Sequence, residues 1–256
     1  MDPAHAAYPR TPIRDRLTLP APRDTKRAAV KLSVVIPVYN EAKTVAALIE
    51  KVRAVKLDKE IIVVNDGSSD GTREALAPYE NMLGMKVHHS PVNLGKGASV
   101  RIGFSFAVGD LVIIQDADLE LDPEEYHHLI QPILDGSADV VFGSRFLGGG
   151  RKGSLTFYVA NRTLAVLTNA LFGGRLTDIE TCYKVFRRDV IPSLKLRASR
   201  FEIEPEITAQ VLKRGHRLVE LPIGYQPRGH HEGKKISWKD GFTAVYTLLQ
   251  QRIDAK

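Results

Sequence analysis

The sequence predicts an α/β domain, a mostly parallel sheet flanked by helices. Short, near-continuous apolar runs rich in Val and Ile recur along the chain. Segments with helical apolar spacing separate them. The two textures alternate about five times between residues 32 and 142.

The first run is Leu32-Ser-Val-Val-Ile-Pro-Val38, and others follow at residues 60–65, 85–88, 111–115 and 138–142. Runs this short and this apolar suit strands buried on both faces. Between the first two, Ala46, Ile49, Val52 and Val55 form one apolar stripe, and residues 99–108 and 123–134 are further helical segments. Pro123 suits a first helical turn, with Asp122 before it as cap. Beyond Arg145 the alternation weakens. Gly148-Gly-Gly-Arg-Lys-Gly153 reads as a flexible basic loop, 155–172 as a helix, 204–214 as a helix closed by Gly215, and 217–225 as a strand. A basic loop at 226–235 leads to an amphipathic helix at 238–253, with Trp238, Phe242, Val245, Leu249 and Ile253 on one side. Residues 1–30 hold five prolines and scattered Arg and read as a disordered basic arm, either a dispensable tail or a membrane or partner contact. They lack the apolar segment of a secretory signal.

Composition narrows the function. Lys and Arg number 36 against 30 Asp and Glu, a net charge of +6. The pI near 9.3 favours anionic partners: nucleotides, phosphorylated substrates, an anionic membrane surface or nucleic acid. The single Cys182 excludes an intrachain disulfide framework and fits a reducing, cytoplasmic setting. No uncharged apolar run reaches the ~18 residues that a membrane span needs, since Arg162 interrupts the nearest, 155–172.

In an open parallel sheet, ligands bind beyond the carboxyl ends of the strands. Each predicted strand here ends in polar groups: Tyr39-Asn-Glu41, Asp66-Gly-Ser-Ser-Asp-Gly71, Asn93-Leu-Gly-Lys-Gly97, Asp116-Ala-Asp118 with Glu120, and Ser144-Arg145. Asp116 and Asp118 can converge on one hard cation, Mg²⁺ or Mn²⁺, and Glu120 has the same parity. The alternative is a charged turn before a capped helix. Asp66 suits acceptance of hydrogen bonds from a nucleobase, while Ser69 or Asp70 suits a helix cap. Asn93-Leu-Gly-Lys-Gly97 lacks the full phosphate-loop pattern, and no Gly-x-Gly-x-x-Gly follows the first strand, which counts against a P-loop NTPase and a dinucleotide oxidoreductase. Arg145, Arg151, Lys152, Arg228, Lys234, Lys235 and Lys239 form a basic set, partly in Gly-rich loops, suited to phosphates or to a solvated surface. No aromatic-interleaved motif accompanies them, so nucleic acid is not expected. The His127-His128 and His230-His231 pairs lack zinc-ligand spacing.

In this order, Val35-Ile-Pro-Val-Tyr-Asn-Glu41, Val64-Asn-Asp-Gly-Ser-Ser-Asp-Gly-Thr72, Asn93-Leu-Gly-Lys-Gly97, Gln115-Asp-Ala-Asp118 and Gly143-Ser-Arg145 resemble the motifs of family 2 glycosyltransferases. Thr177-Asp178, Lys184, Arg187, Arg228 and Gly233-Lys-Lys235 are most similar to the dolichyl- or polyprenyl-phosphate mannosyltransferase branch. The resemblance implies a GT-A fold, a single domain with a Rossmann-like, mostly parallel sheet over 31–253. Its nucleotide-binding half would be 31–120 and its acceptor-binding half 121–253. It implies Pro37, Tyr39, Glu41, Asp66, Lys96 and Asp116 around the nucleotide, and Asp116, Asp118 and Glu120 around Mg²⁺ or Mn²⁺. Arg145, Arg228, Lys234 and Lys235 would face the acceptor phosphate. Asp116, Asp118, Arg145 and Asp178 would be the catalytic set, with Asp178 as the base for a hydroxyl acceptor.

The expected activity is inverting, metal-dependent transfer of a hexose from a nucleotide sugar to a polyprenyl monophosphate, with mannose from GDP-mannose favoured. The expected site of action is cytoplasmic, peripheral on the inner membrane face. The alternatives are a UDP-glucose-type donor with a non-lipid hydroxyl acceptor, a non-catalytic nucleotide-sugar-binding protein, and a nucleotidyltransferase releasing pyrophosphate.

Overall fold

The structure, a computed structural model, describes residues 30–147, 155–227 and 238–254; for residues 238–240 only the backbone is described. The strands are Leu32–Val38 (β1), Lys59–Asp66 (β2), Met85–Ser90 (β3), Leu111–Ile114 (β4), Val140–Ser144 (β5), Lys184–Arg187 (β6) and Leu218–Pro222 (β7). The helices are Val45–Ala54 (α1), Thr72–Leu76 (α2), Lys96–Phe106 (α3), Tyr126–Leu134 (α4), Leu155–Phe172 (α5), Ile203–Lys213 (α6) and Trp238–Ile253 (α7). The described strands make one sheet in the order β3-β2-β1-β4-β6-β5-β7. All neighbours pair in parallel except at β6, which runs antiparallel to both β4 and β5. The α/β expectation holds, and the five predicted runs all become strands.

The central strands are covered on both faces, which is why they read as near-continuous apolar runs. Val34, Val35, Ile36, Ile62, Val63, Val64, Val112, Ile113 and Ile114 are all completely buried. Burying one such side chain contributes roughly 1.5–3 kcal/mol. The first helix buries Val45, Leu48, Ile49 and Val52, close to the predicted stripe. Helix α3 packs on β1 and β2 and begins at Lys96, three residues before the predicted start at Ser99. Its approach is close, because a Cβ at Gly103 would run into the Val35 side chain. The predicted helix over 123–134 splits into a 3₁₀ turn, Pro123–Glu125, followed by α4. Asp122 caps that turn as expected, accepting from the Glu124 amide at 3.2 Å.

Strand β6 is the element that the sequence pattern does not announce. It is four residues long, with charged residues at both ends, so it is too short to show a period. Its reversed direction has a geometric consequence. The other strands end at one edge of the sheet, whereas β6 begins there. The segment that leads into it, 176–183, is therefore laid across the edge where ligands of such sheets bind.

At the opposite edge, Asp139 gathers two arginines. It accepts from Arg217 Nε at 3.1 Å, Arg217 Nη2 at 2.8 Å and Arg187 Nη1 at 2.9 Å, and also from the Arg217 amide at 3.0 Å. The hydrogen bonds from Arg217 are the main cause that holds the Asp139 carboxyl down to about 2. A depressed carboxylate adds stability above its unfolded pKa and loses it as pH falls through the folded one. Asp139→Asn should therefore cost about 1–2 kcal/mol at pH 7, the arginines being half exposed. Urea unfolding should show this cost shrinking between about pH 4 and pH 2.

Candidate active site

The loops after β1, β2 and β3 are stapled into one rim. Asn40 takes a left-handed backbone, φ 53°, which Asn tolerates. Its Oδ1 accepts from the Ser69 amide at 2.9 Å, and its own amide donates to Ser68 Oγ at 2.9 Å. The Glu41 amide donates to Thr72 Oγ1 at 2.9 Å, and Asp70 Oδ1 accepts from the Thr72 amide at 3.1 Å. That last bond closes a turn just ahead of α2, whose cap position is taken by Gly71 with no side-chain cap bond, which corrects the expectation that Ser69 or Asp70 caps the helix. Pro37, near the end of β1, and Tyr39 and Glu41 in the loop after it are half-buried.

Asp66 corrects an expectation. Its carboxylate is 2% exposed and accepts from the Leu94 amide at 2.8 Å and the Gly95 amide at 2.7 Å. It ties the loop after β3 to the end of β2 and is not presented to a nucleobase. The Gly95 and Gly97 positions have the same structural logic. Gly95 stands at φ 97°, a Cβ there would meet the Ser199 carbonyl, and a Cβ on Gly97 would lie 2.6 Å from the Ala198 oxygen. The glycines let α3 begin against residues 198–199, which aims Lys96 along the edge.

The end of β4 is held from behind. Gln115 Oε1 accepts from Tyr126 Oη at 2.6 Å and Tyr183 Oη at 2.7 Å, and Gln115 Nε2 donates to the Asp116 carbonyl at 3.0 Å. Beyond it Asp116 and Asp118 are half-buried on either side of buried Ala117. Asp118 Oδ1 accepts from the Glu120 amide at 3.1 Å, across Leu119 at φ 63°. A bulky residue in that region is strained, which is a feature of functional turns. Glu120 bonds to the Tyr225 hydroxyl, whose pKa is raised by burial and by that carboxylate. Among the described residues no three Asp, Glu, His or Cys side chains gather as a metal cage. The expected three-carboxylate set is thus corrected to two, Asp116 and Asp118, with Glu120 turned to Tyr225. Two hard oxygen donors of the same parity fit a Mg²⁺ or Mn²⁺ ion that takes its other ligands from water and a diphosphate.

A buried chain of charges runs back from Asp116. Lys96 Nζ lies 2.8 Å from Asp116 Oδ1 and 3.0 Å from Glu204 Oε1, and Glu204 Oε2 pairs in turn with Lys184. Burial works against the Lys96 ammonium, but the Asp116 and Glu204 carboxylates outweigh it and raise its pKa well above the usual value. The Cys182 thiol also bonds to Asp116; burial first, then that carboxylate, pushes it up, so it is a poor nucleophile. Glu204 and Lys184 escape sequence reasoning as a pair, because twenty residues and a change of element separate them.

The end of β5 carries the second chain. Arg145 is 9% exposed. Its Nε donates to Asp178 Oδ2 at 2.7 Å and its Nη2 to Oδ1 at 2.8 Å, while its amide donates to Oδ2 at 3.1 Å. Asn161 Nδ2 adds a bond to Asp178 Oδ1 at 3.1 Å. The rings of Phe146, Phe157 and Tyr225 stand 5.6, 5.0 and 5.4 Å from the guanidinium carbon. Asp178 is completely buried and fully engaged, which corrects its expected role as a general base: it positions Arg145. Glu220 on β7 holds this segment in place, accepting from the Thr177 and Asp178 amides. The remaining predicted phosphate contacts, Arg228, Lys234 and Lys235, lie outside the described residues, as do Arg151, Lys152 and residues 1–29 of the arm.

Removing one partner of a buried ion pair leaves an uncompensated charge. Asp178→Ala and Arg145→Ala should each cost about 3–5 kcal/mol in urea unfolding. The double substitution should cost less than the two together, and strict additivity would mean that the pair is not coupled.

Comparison with known proteins agrees with this geometry. The family model described as Glycosyl transferase family 2 matches residues 33–194. The chain is 31% identical over 232 residues to the dolichol-phosphate mannosyltransferase of Pyrococcus furiosus, covering 86% of this chain and 64% of that protein. It is 30% identical over 217 residues to the polyprenol monophosphomannose synthase of Mycolicibacterium smegmatis, covering 80% of each. With the undecaprenyl-phosphate 4-deoxy-4-formamido-L-arabinose transferase of Aeromonas hydrophila it shares 32% over 209 residues, 79% of this chain and 62% of that one. The chain thus spans under two thirds of the length of the Aeromonas and Pyrococcus relatives. In three dimensions it superposes on Mycobacterium tuberculosis glucosyl-3-phosphoglycerate synthase, solved with Mn²⁺, uridine diphosphate and phosphoglyceric acid. The TM-score is 0.70 at 20% identity, over 89% of this chain and 80% of that chain, a likeness of fold. With the family model spanning most of the sheet and the strand-end motifs gathered at one edge, this chain belongs to glycosyl transferase family 2.

Proposed function

We propose that the chain transfers a hexose from a nucleotide sugar to a polyprenyl monophosphate with inversion, and that the hexose is mannose carried on GDP. The observation that carries the reading is the meeting of two charge sets at one sheet edge: Asp116, Asp118 and Lys96 on one side, Arg145 on the other. Relatives named for transfer to dolichol, polyprenol and undecaprenyl phosphates supply the acceptor class, and two of them name mannose.

In this reading residues 31–120 bind the nucleotide and 121–253 the acceptor. Asp116 and Asp118 hold Mg²⁺ or Mn²⁺, which when bound neutralises charge on the leaving diphosphate. Pro37, Tyr39 and Glu41 line the nucleoside end. Lys96, fixed between Asp116 and Glu204, keeps a positive charge beside the diphosphate. Arg145, braced by Asp178, faces the acceptor phosphate together with Arg228, Lys234 and Lys235. A phosphate oxygen is ionised at neutral pH and attacks the anomeric carbon without a strong base, so the residues position the two substrates and balance their charge.

A lipid acceptor needs a membrane contact. No helix among the described residues is long and apolar enough to cross a membrane. Helices α5 and α7 pack together and leave apolar side chains outward: Leu155, Val159 and Val166 on one, and Phe242, Tyr246, Leu249 and Ile253 on the other. Phe242 is 71% exposed and Ile253 84%, while Ala244 and Leu248 turn inward. Such a face suits the headgroup boundary of a bilayer.

Nucleotide release should require both a divalent cation and a short-chain polyprenyl phosphate when GDP- and UDP-sugars are tried in turn. Asp116→Ala should lower it by about 10²–10³. Release that ignores the lipid phosphate would move the acceptor elsewhere. Phe242→Glu combined with Ile253→Glu should reduce co-sedimentation with anionic vesicles, and unchanged co-sedimentation would remove this face from the membrane contact.

A further inference from the structure

Glu180 lies two residues beyond Asp178 on the segment that crosses the sheet edge. Its amide donates to Asn161 Oδ1 at 3.2 Å, so the same asparagine steadies both acidic residues. Its side chain stands among the charges of Glu204 on α6, Lys184 on β6, Arg145 after β5, and Asp178. The residue is half-buried, and its Oε1 is fully buried with no hydrogen-bond partner among the described residues.

The charges around it pair off. Arg145 is matched by Asp178, Lys184 by Glu204 and Lys96 by Asp116. Within this cluster Glu180 is the surplus negative charge. An ionised surplus carboxylate would repel the phosphate that the neighbouring Arg145 is placed to receive. A protonated one would remove the repulsion and supply a donor. Burial, and next the Glu204 carboxylate, push Glu180 up to about 7, against the pull of Lys184 and Arg145.

We infer that Glu180 belongs to the acceptor-phosphate subsite, where it acts in its protonated form and donates a hydrogen bond to a phosphate oxygen. This rests on the lipid-phosphate reading above and adds a residue and a proton to it. Binding of the phosphate monoester takes up a proton at Glu180, and the proton is released when the phosphodiester product leaves. Apparent affinity then follows the protonated fraction of Glu180.

The test is the KM for a short-chain polyprenyl phosphate between pH 6 and pH 9, with the full chain. In the wild type it should rise about fivefold from pH 7 to pH 8, as the competent fraction falls, and continue upward. Glu180→Gln, which keeps a donor and loses the charge, should hold KM within about twofold over that span. Glu180→Asp should keep a rise. Titration calorimetry with the same lipid phosphate, in buffers of different ionisation enthalpy, should show proton uptake at pH 7.5 in the wild type and none in Glu180→Gln. A second readout does not need turnover: Glu180→Gln should raise Tm at pH 8, where the wild type buries an ionised carboxylate, and change it little at pH 5. An equal rise of KM in wild type and Glu180→Gln would overturn the inference, as would a pH dependence confined to the nucleotide donor. A wild type that neither binds nor uses any polyprenyl phosphate would take down the functional proposal and this inference together.

Discussion

The carboxyl edge of the sheet buries ammonium, guanidinium and carboxylate groups that could not be there singly. Lys184 and Asp178 are wholly enclosed, Glu204 nearly so, and Arg145 hardly less. Taking one such ion out of water costs several kcal/mol unless a counter-charge meets it at hydrogen-bond distance. Each here has such a partner. Pairs of this kind add little net stability, because their attraction mainly offsets desolvation. They fix geometry, since any rotamer that breaks the pair strands a charge. Asp116 and Arg145 are thereby held at set places, although each stands on a loop.

That arrangement depends on chain direction. A parallel sheet alone would bring only strand exits to the edge, each followed by a loop that turns away into a helix. With β6 reversed, an entering segment passes along the edge and supplies Asp178 to Arg145, Cys182 to Asp116, Tyr183 to Gln115 and Lys184 to Glu204. One short stretch, 178–184, thus braces both charge sets.

Much of the architecture was legible because it follows from burial. Strands covered on both faces must be apolar along their buried middles, and residues 34–38 of β1, 61–64 of β2 and 111–114 of β4 are. The reversed strand was not legible, because four residues bounded by charges show no period. The site was legible as a set of residue types at strand ends, and much less as a set of contacts. Asp66 read as a nucleobase acceptor and Asp178 as a base, yet their hydrogen bonds go to an amide pair and a guanidinium far away in sequence. Glu120 kept the parity of a metal ligand, and a tyrosine over a hundred residues later claims it. Lys96 was found as a lysine in a Gly-rich loop, but the glycines serve close packing against residues 198–199 and not a phosphate.

The position of β6 also orders the birth of the protein. During synthesis β1 to β4 can assemble as successive crossover units, each strand finding a neighbour already made. Strand β4 then has an unpaired flank, and β5 cannot cover it, because β6 must lie between them. At roughly 5–20 residues per second, that flank stays open for several seconds until Arg187 has emerged. An uncovered strand edge is a template for another chain. The nascent first half, rather than the finished fold, is where this molecule is most exposed to misassembly, and crowded expression would be felt there first.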